Sequence, residues 1–141
     1  MTVSAEFLAL SIPNRIRAWI ADLRSGEFRQ TKGHLRRGDN GYCCMGVLAN
    51  RVNPNAWELM GSADKSGRWK FDDKSLYAIP AYLLKDVSMF GGIFDLYIHP
   101  YAKITWEAYL VELNDNGSTF GEIADVIEKK MLPMVLEKYP E

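Results

Sequence analysis

Hydrophobic residues recur at helical spacing near the start of the chain. Four of them follow the i, i+3, i+4, i+7 pattern of one helix face: Ile16, Trp19, Ile20 and Leu23. Pro13 stands where a helix commonly begins, and Gly26 stands where a helix commonly ends. The pattern predicts a helix over residues 13–25.

A second helical pattern is apolar on more than one side. The residues of its main face have helical spacing: Met45, Leu48, Ala49 and Val52. Cys43 and Val47 fall on the opposite side. A helix of this kind is usually central, with neighbours on several faces. The stretch before it, residues 27–41, is polar, basic and rich in glycine, and it favours either a short β-hairpin or an ordered loop.

The middle of the chain alternates between apolar and polar residues. Trp57 and Leu59 precede the segment SADKSG, and Trp69 and Phe71 follow it. This period of two predicts a β-hairpin. Beyond it, residues 80–89 favour a short helix, and the segment IFDLYI after two glycines favours a brief strand.

The last third contains two further amphipathic segments. The first has one apolar face that ends before Asn116-Gly117. Thr119 and Glu122 form the sequence of a capping box for the second, which Pro133 should end or kink near Met131. Two helices joined so closely should pack as an antiparallel or angled pair. The expected fold is therefore α+β, a helix-rich single domain over residues 1–141 with about four to five helices and one or two short β-hairpins.

Composition agrees with one soluble domain. The chain has 141 residues, of which 48% are hydrophobic and 25% charged, as in ordinary globular proteins. The longest uncharged stretch, residues 40–50, falls short of the roughly 20 apolar residues that cross a bilayer. The N-terminal sequence MTVSAEFLAL lacks a basic segment before its apolar residues. We therefore expect a cytoplasmic protein with no membrane partner.

The known sequence signatures of catalysis and metal binding are missing. The chain has no Walker loop, GxGxxG, HExxH or GxSxG sequence. Two histidines and two adjacent cysteines do not have the spacing of a tetrahedral zinc site. We expect no metal and no cofactor, and the enzyme hypothesis depends on cysteine chemistry alone.

Cys43 is the weak candidate for a catalytic residue. A thiol at the start of a helix, close to Arg36, Arg37 and His34, would have a stabilised thiolate. The alternative, which we favour, is a buried and inert thiol, because free cysteine behaves as a small hydrophobic residue. Cys44 lies nearer the Met45 face and is expected in the core.

Charge points to a different kind of site. The net charge of -1 argues against general binding of nucleic acid, but residues 1–51 hold eight Lys/Arg against four Asp/Glu. Basic and polar residues that could hold phosphate or carboxylate oxygens are set among glycines: Arg29, Gln30, Lys32, His34, Arg36, Arg37 and Tyr42. If the next helix begins near Tyr42, its free N–H groups would favour an anion at the same place. The alternative is a solvated basic loop.

Aromatic residues concentrate in the middle third of the chain, between Trp57 and Tyr101. They could stack on bases, but the middle and end of the chain are acidic, with nine Lys/Arg against fourteen Asp/Glu in residues 52–141. Core packing or a protein interface, including one between copies of this chain, is the better explanation.

Three motifs resemble those of a large family of small, uncharacterised proteins encoded by bacteriophages and prophages. They are LRSGx[FY]xQ from Leu23, YCC[LM]GVL from Tyr42, and LNDxGxxFxEIADxIE from Leu113. Members often carry a further cysteine where this chain has Ala49. The resemblance implies a phage accessory protein in a bacterial cytoplasm. Two functions are then expected: non-catalytic binding of a small anionic ligand, such as a nucleotide signal of host defence, or inhibition or redirection of a host protein through direct contact.

Overall fold

Helices form most of the structure and follow one another closely along the chain. The computed structural model describes residues 3–60, 67–72 and 76–141. Its α-helices are α1 (Ala5–Leu8), α2 (Ile12–Arg24), α3 (Cys44–Val52), α4 (Ala81–Leu84), α5 (Val87–Phe90), α6 (Trp106–Asp115), α7 (Phe120–Val126) and α8 (Leu132–Lys138). A 3₁₀ turn spans Ile93–Asp95, and a π-helical turn, Ile127–Met131, joins α7 to α8.

Two small sheets accompany these helices. Strands β1 (Arg29–Gln30), β2 (Arg36–Arg37) and β3 (Gly41–Tyr42) form the first, in the order β1-β3-β2. Strand β3 pairs antiparallel with β2 and parallel with β1. Strands β4 (Trp57–Leu59) and β5 (Trp69–Phe71) form the predicted hairpin, whose SADKSG connection lies outside the described residues except for Gly67. The α+β, helix-rich fold is thus confirmed.

The helices with strong periodicity form where the sequence predicts them. Ser11 caps α2 by accepting a hydrogen bond from the Asn14 N–H, and Gly26 follows with a φ of 76°. Helix α3 is central as expected, with nearly all its residues buried. Thr119 and Glu122 complete the predicted capping box of α7. These three agreements share one cause, since each combines an apolar face with a matching cap.

Three segments differ from the prediction. Residues 80–89 form two short helices, because Asp86 ends the first and caps the second. The expected strand at residues 93–98 is wrong, since Ile93 and Phe94 turn into the core in a 3₁₀ turn. Of the two outcomes predicted for Pro133, an end to the helix is wrong, because the chain continues into α8. The helix is irregular at the predicted place, since a π-helical turn ends at Met131.

One hydrophobic core extends from Phe7 to Val135 and surrounds the fully buried Trp19 and Trp106. It also encloses the charged side chain of Arg15, which lies on α2. None of the helices in the described part of the chain has the length and apolar character needed to span a bilayer.

Candidate functional site

The three-stranded sheet decides which of the basic residues face solvent. In its register, Arg29 and Arg37 lie on either side of Gly41, and Gln30 and Arg36 lie on either side of Tyr42. Successive side chains of a strand point to opposite faces. Arg29 and Arg37, which flank Gly41, are both exposed. Tyr42 is buried, and Gln30 and Arg36, which flank it, are partly buried. The five predicted ligand-binding residues that lie in these strands are therefore divided between two faces.

The outer face carries a cleft of about 410 Å³. Among the described residues, its lining includes two cations and no carboxylate: Arg29, Gln30, Thr31, Arg37, Gly38 and Gly41. Gly41 is essential at the floor, because a Cβ there would lie 2.5 Å from the carbonyl oxygen of Arg37. Because β1 and β2 flank β3, the Cα atoms of Arg29 and Arg37 are two strand spacings apart, which is roughly 10 Å. Two long side chains can span this distance. This geometry can hold an anion between two guanidinium groups.

Arg36 and Tyr42 belong to an internal aromatic cluster instead. The guanidinium carbon of Arg36 lies 3.9 Å from the ring centroid of Trp69, 5.1 Å from that of Tyr42 and 5.6 Å from that of Trp57. One of its N–H groups donates to the carbonyl oxygen of Asp39 at 2.8 Å. Stacking of this kind stabilises a cation that is partly removed from water. Arg36 and Tyr42 therefore contribute to the packing between the two sheets and do not line the cleft with Arg29 and Arg37.

Gln30 is part of a buried hydrogen-bond hub centred on Asn114. The Asn114 side-chain oxygen accepts from Gln30 Nε2 at 2.9 Å and from the Cys44 N–H at 3.1 Å. Its amide nitrogen donates to the Thr31 carbonyl oxygen at 2.8 Å. Gln30 Nε2 also donates to the Ser118 carbonyl oxygen at 2.7 Å. The amide of Gln30 thus holds the last turn of α6 against the sheet, and its donors are not available to a ligand.

The start of α3 is closed to an anion, so the predicted contribution of open amides is wrong. The helix begins at Cys44, and Tyr42 is still in strand β3. The Cys44 N–H is bound to Asn114, and the Gly46 N–H donates to the Cys43 sulfur at 3.4 Å. Protein groups therefore satisfy the donors that an anion would have used.

The Cys43 thiol is inert rather than activated. Burial raises its pKa to about 11, and this effect exceeds the opposing hydrogen bonds from the backbone of Gly46 and Met45. The nearby carboxylate of Asp115 raises the pKa further. The same burial raises the pKa of Cys44. The prediction that Cys43 has the lowered pKa of a nucleophile is thus wrong.

His34 and Cys43 nevertheless share a small pocket of about 140 Å³. The pocket is closed by the ring of Tyr77, which lies 5.2 Å from that of His34, and by Asp115 and Asn114. Asp115 accepts a hydrogen bond from the Gly33 N–H at 3.2 Å. A carboxylate at this point disfavours an anion, so the predicted role of His34 as an anion ligand lacks support here. Lys32 is exposed and lies beside Gly117, outside the arginine cleft.

We expect both cysteines to resist alkylation in the folded protein. With a pKa of about 11, about one Cys43 in a thousand is a thiolate at pH 8, and the pocket restricts access as well. Mass spectrometry after treatment with iodoacetamide should show labelling only when urea is added. The Cys43→Ser variant should keep ligand binding. Rapid alkylation of Cys43 without denaturant would contradict the inert assignment.

The other motif residues also join distant segments. Arg24 in α2 donates to Asp125 at 2.6 Å and to Glu128 at 3.1 Å. These bonds raise the pKa of Arg24 and lower the pKa of Glu128. All three groups are exposed to solvent, so water screens the pairs and their contribution to stability is small. Within residues 3–60, 67–72 and 76–141, no group of three His, Cys, Asp or Glu side chains could hold a metal ion.

Asn114 and Asp115 bind residues 30–33 to helix α6, and the residue types alone do not identify this role. One signal was present in the sequence: Trp106, Leu110 and Asn114 follow each other at intervals of four on one helix face. An asparagine in line with two core residues indicates a buried polar group, which needs hydrogen-bond partners. Those partners come from residues 30, 31 and 44, and no local pattern identifies them.

Comparison with known proteins gives one match. Residues 13–131 match the model of a family described as a domain of unknown function (DUF8296). No curated protein and no solved structure matches the chain. The matched range includes the arginine cleft, the Asn114 hub and the Cys43 pocket.

Proposed function

The chain belongs to the DUF8296 family, whose description assigns no activity, and we propose from the site geometry that it binds a small anionic ligand without catalysis. The observation that carries this proposal is that Arg29 and Arg37 line the same cleft, in which the residues that the structure describes include no carboxylate. The proposed site is narrower than the sequence prediction, since it keeps two of the seven residues as direct ligands.

The chemistry of the cleft favours phosphate over other anions. A guanidinium group offers parallel N–H donors that match two oxygens of a phosphate or carboxylate. Two such groups on opposite edges of a cleft suit a ligand with several negative oxygens. A cleft of about 410 Å³ is within the range of small-molecule sites. A nucleotide is the ligand class that combines this charge with this size.

The proposal extends to a biological role through the resemblance to phage-encoded proteins. A small protein that binds a nucleotide without altering it can sequester a signal. In a bacterial cytoplasm, the signal would be a messenger of host defence, and the protein would act as an antagonist of that defence. This role requires a high affinity and no turnover of the ligand.

Thermal unfolding with a panel of ligands tests the binding proposal. The panel holds inorganic phosphate, pyrophosphate and mono-, di- and cyclic nucleotides at fixed ionic strength. A ligand at 100 times its dissociation constant stabilises the native state by about 2.7 kcal/mol. We expect a rise in melting temperature with at least one nucleotide, and an unchanged nucleotide recovered by chromatography. A flat response to the whole panel would contradict the proposal.

Charge variants test the site itself. Arg29→Gln and Arg37→Gln should each weaken binding by about tenfold or more, since each removes charge-assisted hydrogen bonds. Lys32→Gln removes the same charge outside the cleft and should change the affinity by less than about twofold after screening by salt. Melting temperatures without ligand report any effect of the variants on folding. Equal losses in Arg29→Gln and Lys32→Gln would indicate general electrostatic attraction instead of a site.

A further inference from the structure

Exposed apolar side chains gather in one part of the chain. Of the eight large hydrophobic residues that the described structure leaves exposed, six lie between residues 77 and 101: Tyr77, Tyr82, Val87, Leu96, Tyr97 and Tyr101. Four of the six are tyrosines, a residue type enriched at the energetic centres of protein interfaces. Tyr101 is 93% exposed, although its ring is largely apolar.

Residues from this part of the chain also form an apolar groove, which Tyr82 lines. The segment from Ala78 to Lys85 forms most of it, including Ile79, Tyr82 and Leu84, and its volume is about 530 Å³. Glu107 of helix α6 completes the lining. The groove is therefore apolar apart from one lysine and one carboxylate.

Charge around the groove is unbalanced towards the negative. Lys85 lies 3.8 Å from Asp95, so its charge is already shared with that carboxylate. None of the ion pairs formed by the described residues includes Glu107. Burial raises the pKa of Glu107, Asp95 raises it further, and Lys85 opposes both effects. The Glu107 carboxylate is thus partly desolvated, and no cation of the described residues forms an ion pair with it.

We propose that this groove is the docking site for a segment of a partner protein that carries a lysine or arginine beside a large apolar side chain. The apolar side chain covers the exposed lining at Ala81 and Tyr82, and the cation pairs with Glu107. A partner without the cation would bury the Glu107 carboxylate unpaired, which costs free energy and gives specificity. This inference is independent of the anion cleft, because the two sites share no residue.

Matched peptides test the proposal. The probes are acetyl-Leu-Arg-Leu-amide, acetyl-Leu-Gln-Leu-amide and acetyl-Leu-Glu-Leu-amide, titrated into ¹⁵N-labelled protein at neutral pH and fixed salt. We expect the arginine peptide to shift the amide signals of residues 79–85 and 107. Its affinity should exceed that of the glutamine peptide by about threefold or more, and that of the glutamate peptide by more. Equal affinities for the three peptides, absence of binding, or shifts confined to the Arg29 cleft would overturn the proposal.

The Glu107→Gln variant separates the charge effect from folding. It should abolish the preference for arginine over glutamine and leave the melting temperature unchanged or slightly raised at neutral pH, because it removes a partly desolvated carboxylate. In the wild type, the preference should also disappear as the pH falls through the raised pKa of Glu107 and the carboxylate becomes neutral. A preference that survives in Glu107→Gln would overturn the assignment of this residue. If the wild type formed a dimer and Tyr82→Ser abolished it, the groove would bind a second copy of this chain. That result would also overturn the proposal.

Discussion

Gly46→Ala should prevent stable folding, with a loss of more than about 3 kcal/mol in the free energy of unfolding. A Cβ at position 46 would lie 1.8 Å from the carbonyl oxygen of Leu35 and 2.7 Å from the carbonyl carbon. Both atoms are backbone, so no side-chain rotation relieves the overlap. Leu35 is itself fixed, since its oxygen accepts from the Cys43 N–H at 3.1 Å and its N–H donates to the Leu76 oxygen at 2.9 Å. Urea denaturation and NMR signal dispersion measure the effect.

Gly121→Ala is the matched control for this prediction. Gly121 lies in helix α7, and the nearest atom to a Cβ there is the hydroxyl oxygen of Thr119 at 3.9 Å, an ordinary contact. Alanine is favoured over glycine inside a helix by up to about 1 kcal/mol, so this variant should be equally or more stable than the wild type. A free energy of unfolding for Gly46→Ala within about 1 kcal/mol of the wild-type value would contradict the close approach of α3 to Leu35.

Arg15→Met should be the second most damaging change, with a loss of about 3 kcal/mol or more. The Arg15 guanidinium donates to the carbonyl oxygens of Phe7 and Leu8 at 3.2 and 3.1 Å and to those of Ser88 and Met89 at 2.9 Å each. These oxygens lie at the C-terminal ends of α1 and α5, where helices have carbonyl groups without internal partners. Methionine fills similar space but donates nothing. Thermal and urea unfolding provide the measurement.

Arg17→Met controls for the loss of a positive charge on the same helix. Arg17 is partly exposed and contacts Asn14 and Glu141 at the surface. Its replacement should change the free energy of unfolding by less than about 1 kcal/mol, as for other exposed ion pairs. A similar loss in both variants would show that charge on α2 matters and that the buried carbonyl contacts of Arg15 do not.

The longer helices α2, α3, α6 and α7 could be predicted from the sequence because each carries its own evidence. Helix α2 has four apolar residues at helical spacing, and α7 has both halves of a capping box. The segment after Gly91-Gly92 lacks such redundancy, since six residues with five apolar side chains and one aspartate fit a strand as well as a turn. Its 3₁₀ turn is decided by where Ile93 and Phe94 find space in the core.

The site could be predicted only in part. The sequence shows which residue types are present, but it does not show to which face of the sheet each side chain points. Arg36 and Arg37 are neighbours with the same charge, yet Arg36 stacks on Trp69 and Arg37 lines the cleft. The difference comes from the pairing of β2 with β3. Its register places Arg36 opposite Tyr42 and Arg37 opposite Gly41, so the two side chains point to opposite faces of the sheet. The parallel pairing of β1 with β3 is a non-local choice that no short pattern in residues 27–41 specifies.

Asn114, whose side chain holds the three-stranded sheet and the start of α3, comes late in the chain. Asn114 is separated by 70 to 84 residues from the groups that it binds at positions 30, 31 and 44. Contacts of such separation close slowly, because the loop between them must lose its freedom first. During synthesis, the nascent first half therefore has polar groups at the start of α3 and in the sheet that only water can satisfy. We expect the arginine-bearing strands to acquire protease resistance on the ribosome only after α6 has emerged from the exit tunnel.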